Sequence, residues 1–164
     1  MDEKLYLIDL DCYARAEENQ KKKVKESHCF DFGLLPTKGL QNEFRSFIEN
    51  RSRQCALATM IQERVIYQRF CRMVKDKHIR VESLQELEWE QWLIKIRSWL
   101  LEHGQKLTMQ GINVYGKEKT VPSSLITYVR KAYQFTEAKE ERDEIEKDIW
   151  KLENLDIAYK KNPI

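Results

Sequence analysis

The chain has 164 residues, 29 Lys and Arg against 27 Asp and Glu for a formal net charge of +2, and only five Gly and three Pro. That length suits one domain whose core needs no disulfide or metal staple, and so few turn formers exclude an all-β sandwich, which needs a turn every ~8–12 residues. No stretch approaches the roughly 18 apolar residues of a bilayer span. The N-terminus carries Asp2, Glu3, Asp9 and Asp11 rather than a basic and then apolar leader, so a soluble, cytoplasmic, mainly helical protein without membrane contact is expected.

The charge is unevenly spread. Residues 37–80 hold ten cations and four anions, a local +6, whereas residues 137–153 hold four and eight, a local −4. A basic block on a near-neutral chain is the pattern of a polyanion-binding surface; the acidic block would repel the same partner.

Residues 1–36 read as a partly ordered N-terminal arm, alternating apolar and polar near Leu5 and Leu7, then charged through Lys21-Lys22-Lys23-Val24-Lys25, and closing at Phe30-Asp31-Phe32-Gly33. A first helix starts after Pro36-Thr37, with Leu40, Phe44, Phe47 and Ile48 at i, i+4, i+7, i+8. Arg51-Ser52-Arg53 breaks that pattern, and Ser52 is the expected N-cap of the next helix. This second helix runs from about Gln54 to His78. Turning 100° per residue from Ile66 gathers Thr59, Glu63, Phe70, Met73 and Val74 on the core side, and Arg64, Gln68, Arg72 and Lys75 on the opposite side. Leu57, Ile61 and Val65 fall off the stripe, which predicts a second covering element.

The capping box Ser83-x-x-Glu86 opens a third helix bearing Trp89, Trp92, Ile96, Trp99 and Leu100, which Gly104 stops. Tryptophans at that spacing predict the central, buried helix. Lys106–Thr120 reads as a loop or short hairpin. A fourth helix begins at Pro122-Ser123-Ser124 with Leu125, Val129, Ala132, Tyr133 and Thr136 inward and Thr127, Arg130, Lys131 and Gln134 outward. The acidic stretch continues as helix, with Ile145, Ile149, Trp150 and Leu152 available for packing, until Asn162-Pro163.

Catalytic patterns are missing. There is no Gly-rich phosphate loop, G-x-S-x-G or H-E-x-x-H, and carboxylate pairs such as Glu86/Glu90 and Glu144/Asp148 stand on solvated helix faces without a His partner. Cys12, Cys29, Cys55 and Cys71, with His28, His78 and His103, lack the paired spacing of a zinc site. Neither metal, cofactor nor small-molecule substrate is expected. Two helices that each bury one side and present Arg, Lys, Gln and Thr on the other suit duplex DNA, because cations engage phosphates and Gln, Thr and Arg reach base edges from an element slim enough for the major groove. Phosphate contacts are expected from Lys38, Arg51, Arg53 and Lys106 at helix ends and flanking loops.

The run Thr59-Met60-x-x-Glu63-x-x-x-Tyr67-x-x-Phe70-x-x-Met73-Val74 resembles the second helix of the N-terminal core-binding (SAM-like) domain of tyrosine recombinases, the phage-integrase family. Phe44–Ile48 is similar to that domain's first helix, and Ser123-Ser124-Leu125-Ile126-x-x-x-Val129-Arg130-x-x-Tyr133-x-Phe135 to its fourth. The closing Glu146-Lys147-Asp148-Ile149-Trp150-x-Leu152 looks like the stretch that precedes the recombinase core. The resemblance covers residues 37–164. It implies an all-α domain of four to five helices in an orthogonal bundle behind the arm of residues 1–36, holding duplex DNA beside other recombinase protomers. It also implies a non-catalytic fragment whose parent carries the catalytic arginines, histidines and tyrosine in a separate C-terminal domain. Mapped onto the two polar stripes, the DNA contacts implied are Arg64, Gln68, Arg72 and Lys75 on the second helix, and Ser124, Thr127, Arg130, Lys131 and Gln134 on the fourth. The alternative is a helical protein-interaction module that meets its partner through the tryptophan-rich third helix.

Overall fold

The computed structural model describes residues 3–112 and 115–161. The chain is mainly helical, with two small antiparallel sheets. Four long helices dominate: α3 (Lys38–Gln54), α4 (Leu57–Asp76), α5 (Trp89–Glu102) and α6 (Ser124–Lys161), preceded by the single-turn helices α1 (Asp11–Ala14) and α2 (Glu18–Lys21). Strand β1 (Lys4–Tyr6) pairs with β2 (Cys29–Asp31), and β3 (Thr108–Ile112) with β4 (Glu118–Pro122). The fourth and the possible fifth helix are one continuous rod. The expected stop at Asn162-Pro163 lies outside the described residues.

Helix α3 begins as its sequence predicts. Thr37 Oγ1 accepts from Leu40 N–H at 3.3 Å while its own hydroxyl donates to the Val81 carbonyl at 2.6 Å, so one side chain both caps the helix and ties it to a distant loop. Leu40, Phe44, Phe47 and Ile48 are all buried. The expected break at Ser52 does not occur. Ser52 is buried within α3, and its Oγ accepts from Cys12 N–H at 3.1 Å, so the hydroxyl caps the N-terminal segment and α3 runs on to Gln54. Helix α4 follows after Cys55-Ala56 and closes through His78 in the left-handed region (φ 55°), with Ile79 N–H reaching back to the Val74 carbonyl at 3.0 Å.

Ser83 does form a capping box with Glu86, but the box opens only a single 3-10 turn, Leu84–Glu86. A second box, Glu88 with Gln91, starts α5 at Trp89. Trp92 and Trp99 are buried, and Trp92 Nε1–H donates to the Leu84 carbonyl at 2.8 Å, which fixes the 3-10 turn over the helix. The tryptophans therefore serve the core, while Ile94 and Leu101 stand exposed on the outer side of α5.

The segment read as an arm is part of the core. Leu7, Leu10, Cys12, Phe30, Phe32 and Leu35 are all buried, and Tyr67 of α4 meets Phe30 and Phe32 edge-on while its hydroxyl donates to the Asp31 carbonyl at 2.8 Å. Each of the larger side chains contributes about 1.5–3 kcal/mol on burial, so residues 4–35 hold the bundle rather than trail from it. Phe44 stacks on Phe70 with centroids 4.9 Å apart, and Phe47 packs against Tyr128 and Phe135 of α6. The core therefore lies between α3, α4, α5 and the first turns of α6, closed on one side by the N-terminal segment.

Candidate nucleic-acid interface

Helix α4 buries a wide arc comprising Leu57, Met60, Glu63, Tyr67, Phe70, Cys71, Met73 and Val74. The flank that carries Arg64 and Gln68 is covered by the N-terminal segment. Arg64 Nε–H donates to the Cys29 carbonyl at 3.3 Å, and both residues are half-buried. What α4 displays is a stripe turned away from that flank, including Gln62, Val65, Arg72, Lys75 and Asp76. Of the four α4 contacts expected, then, Arg72 and Lys75 are exposed while Arg64 and Gln68 are half-buried.

Arg51 is also turned inward. Its Nε and Nη2 donate to Glu63 Oε1 and Oε2 at 3.0 and 2.6 Å, in a pair whose side chains are only 17% and 9% exposed. The hydrogen bonds it donates to Glu63 hold the guanidinium's pKa above its ordinary value against the opposing effect of burial. Such an arginine has no reach left for a phosphate. Arg53 is exposed but borders a cleft that also holds Asp9, Asp11 and Glu49, where carboxylates compete with any incoming anion. Lys38 and Lys106 are exposed. Arg69, which periodicity had not singled out, lies near Arg72 and donates to the Gln105 side chain, joining α4 to the loop before β3. Burial lowers its pKa most, and the Arg72 charge adds to the effect. Lys75, His78 and Arg80 border a cavity of about 230 Å³ floored by Leu34, Pro36, Val74 and Ile79.

Helix α6 follows its predicted pattern over the first turns. Ser123 Oγ accepts from Ile126 N–H at 3.4 Å as N-cap, and Leu125, Ile126, Tyr128, Val129, Ala132 and Thr136 are buried. Thr127, Arg130, Lys131 and Gln134 are all exposed on the opposite side, and the Arg130 guanidinium lies 5.8 Å from the Trp89 ring centroid. Ser124 is half-buried and stands apart from that stripe. From Glu137 to Glu153 every side chain is exposed, so the rod leaves the bundle as it turns acidic. The carboxylates continue along the helix rather than folding back over the basic turns.

Helices α4 and α6 pack against each other. The structure keeps Thr127, Arg130, Lys131 and Gln134 together on one helix and Arg72 near Arg69 on another, and it disperses the rest.

Beyond the helices stands the β3–β4 hairpin, joined to α6 where Ser123 N–H donates to the Leu107 carbonyl at 2.9 Å. Its Lys117 and Lys119 are exposed cations that helix periodicity could not have found; counting lysines in the predicted hairpin would have. Among the described residues, no group of three or more His, Cys, Asp or Glu side chains is placed to hold a metal ion, and no helix is long and apolar enough to cross a membrane. No family model, curated protein or solved structure matches the chain.

Proposed function

We infer that this chain is a non-catalytic double-stranded DNA-binding domain, a SAM-like orthogonal bundle that forms the site-holding portion of a tyrosine-type site-specific recombinase or integrase. In that reading it grips and aligns the DNA beside other protomers, while a separate catalytic domain cuts and rejoins strands through a tyrosyl-phosphate intermediate. The observation that carries it is the exposed Thr127-Arg130-Lys131-Gln134 stripe on α6, set opposite a fully buried one. An α-helix fits the major groove, two cations on it meet phosphates, and Thr and Gln reach base edges. The acidic continuation of α6 confines that contact to its first three turns.

Fluorescence anisotropy with a labelled duplex of about 30 base pairs tests the reading, since about four phosphate contacts give a log–log salt slope near −4. Arg130→Glu with Lys131→Glu should abolish retention at about 50 mM salt. A wild-type chain that shows no retention at that salt overturns the proposal.

One observation favours a second reading. Ile145, Ile149 and Leu152 are 58%, 49% and 66% exposed and share one side of the projecting rod. The flanks of that stripe are net acidic, Glu141 and Asp148 on one and Glu146 and Glu153 against Arg142 on the other, so pairing with a second copy of itself sets mainly like charges together. The surface fits a cationic amphipathic helix of another protein. Binding of a Lys-rich amphipathic peptide that is lost in Ile149→Asp, in a chain without duplex affinity, would establish this reading in place of the first.

A further inference from the structure

We propose that the β3–β4 hairpin enters a groove of the duplex and reads base edges through Gln110 and Thr120, with Lys117 and Lys119 anchoring it to the phosphates on either side. This rests on the DNA-binding reading and extends it to an element that helix periodicity leaves out.

The register divides the ribbon into two unlike faces. Gln110 stands directly across from Thr120, and Thr108 two residues earlier lies on the same face. Met109 stands across from Val121 on the other face, where Lys119 also lies. Val121 is half-buried, whereas Thr108, Met109, Gln110, Lys119 and Thr120 are exposed. Val121 is covered only at the root of the ribbon, so Lys119 stands exposed on that face, while the opposite face offers an amide between two hydroxyls. A ribbon with so little core beneath it gains little from burial, and two strands alone are marginally stable in water. Its outward chemistry is that of base recognition: Gln pairs with adenine through N6 and N7, and a Thr hydroxyl serves any base edge.

The dimensions agree. Five residues per strand reach about 16 Å at roughly 3.3 Å each, and two strands about 4.8 Å apart pass into a major groove about 12 Å wide and 8.5 Å deep. Gly116 at the tip has φ 77°, a conformation that lets the chain reverse tightly with no side chain in the way. The cations sit where phosphates would pass: Lys117 at the tip, Lys119 on the strand and Lys106 at the root, with Arg69 tied to the root through Gln105. The hairpin also runs directly into the end of α6 that bears Arg130 and Lys131, the end farthest from the acidic stretch. A duplex repelled by residues 137–153 is pushed toward the hairpin.

Selection of duplexes from a random-sequence pool, followed by salt-dependent anisotropy on the enriched and scrambled sequences, tests this with the full chain. All the positions changed are exposed, so the variants keep the fold. Wild type should enrich an adenine-containing motif and prefer it to scrambled DNA. Gln110→Ala with Thr120→Ala should bind scrambled DNA as wild type does but lose about ten-fold of that preference. Lys117→Ala with Lys119→Ala should weaken binding to every sequence and make the salt slope shallower by about two. Enrichment of the same motif by the Gln110/Thr120 variant, or of no motif by wild type, overturns the hairpin proposal. If wild type binds, Lys131→Glu weakens it and the hairpin variants do not, the domain binds DNA through α6 alone and the hairpin falls by itself. If wild type is not retained by any duplex, the DNA-binding reading fails and takes the hairpin with it.

Discussion

Removing Arg51 should destabilise the protein strongly, whatever it does to DNA binding. The guanidinium and the Glu63 carboxylate form a two-pronged pair at 3.0 and 2.6 Å between α3 and α4, and both side chains are largely withdrawn from water. Tyr128, whose buried hydroxyl has no hydrogen-bond partner among the described residues, lies close enough to feel both charges. In Arg51→Met the carboxylate keeps its desolvation cost and loses its compensating charge, which is worth about 3–5 kcal/mol when one member of a buried pair is deleted. Against a typical total of about 5–15 kcal/mol, that is a large share of the stability. Arg51→Met with Glu63→Leu removes both charges and fills the space with apolar groups, so it should return to within about 1 kcal/mol of wild type. Urea unfolding of the wild type, the two single variants and the double variant gives the coupling directly. The double variant should then bind duplex DNA as wild type does, because Arg51 points inward. A single variant that loses less than about 1 kcal/mol refutes the energetic argument. A well-folded double variant that binds DNA about ten-fold more weakly shows instead that Arg51 reaches a phosphate.

Three other outcomes follow from the same geometry. His78→Gly should stabilise the fold by about 1 kcal/mol in urea unfolding, since a left-handed residue with a Cβ closes α4 at φ 55°; unchanged or lower stability would refute this. Glu43 accepts hydrogen bonds from Ser83 Oγ and Leu84 N–H, yet burial raises its pKa above the ordinary carboxylate value. Its contribution is therefore complete below about pH 4 and is lost as pH rises through the raised value, so the stability of Glu43→Gln relative to wild type should climb from about pH 4 to 7. A difference that stays flat across that range is the contrary result. Burial pushes the Cys71 thiol up to about 12 and raises that of Cys12. Both should resist a thiol reagent at mildly alkaline pH until the chain unfolds, while the half-buried Cys29 and Cys55 react in the native state; equal labelling of all four would contradict the packing.

The helices were legible wherever one face met one core. Leu40, Phe44, Phe47 and Ile48 on α3, and Leu125, Val129, Ala132 and Thr136 on α6, stand at the spacing of a single buried stripe and are buried as that spacing predicts. What escaped was set by partners far away in the chain. Ser52 has the chemistry of an N-cap, but the N–H it satisfies belongs to Cys12, forty residues earlier, and nothing local distinguishes the two uses. The segment 4–35 has strands of three residues and helices of one turn, too short for any period to register, although Leu7, Leu10, Phe30, Phe32 and Leu35 are individually conspicuous among charges. The capping box at Ser83 is real, yet a second one at Glu88 takes over five residues later and the first closes on a 3-10 turn.

The candidate site divides along the same line, and the division bears on the basic block itself. A helical wheel states which residues share a face but not how many faces are occupied. On α6 one side is covered over the first turns, and the outward residues are those the wheel assigns. On α4 the N-terminal segment occupies a second flank, so the display turns toward Gln62, Val65 and Arg72, and Arg64 is spent on the Cys29 carbonyl. The +6 counted over residues 37–80 is accordingly not a +6 surface. Lys77 is paired at 2.7 Å with Glu102, which lies outside that stretch, and Arg51, whose partner Glu63 is already in the count, is turned inward. Paired charge releases no counterions from DNA, so in the proposed reading the grip falls to exposed cations: Arg72, Lys75 and Arg80 on and just after α4, Arg130 and Lys131 on α6, and the lysines of the hairpin. Those on α6 and the hairpin share one end of the molecule, and for that reason the proposed duplex contact is assigned to that end.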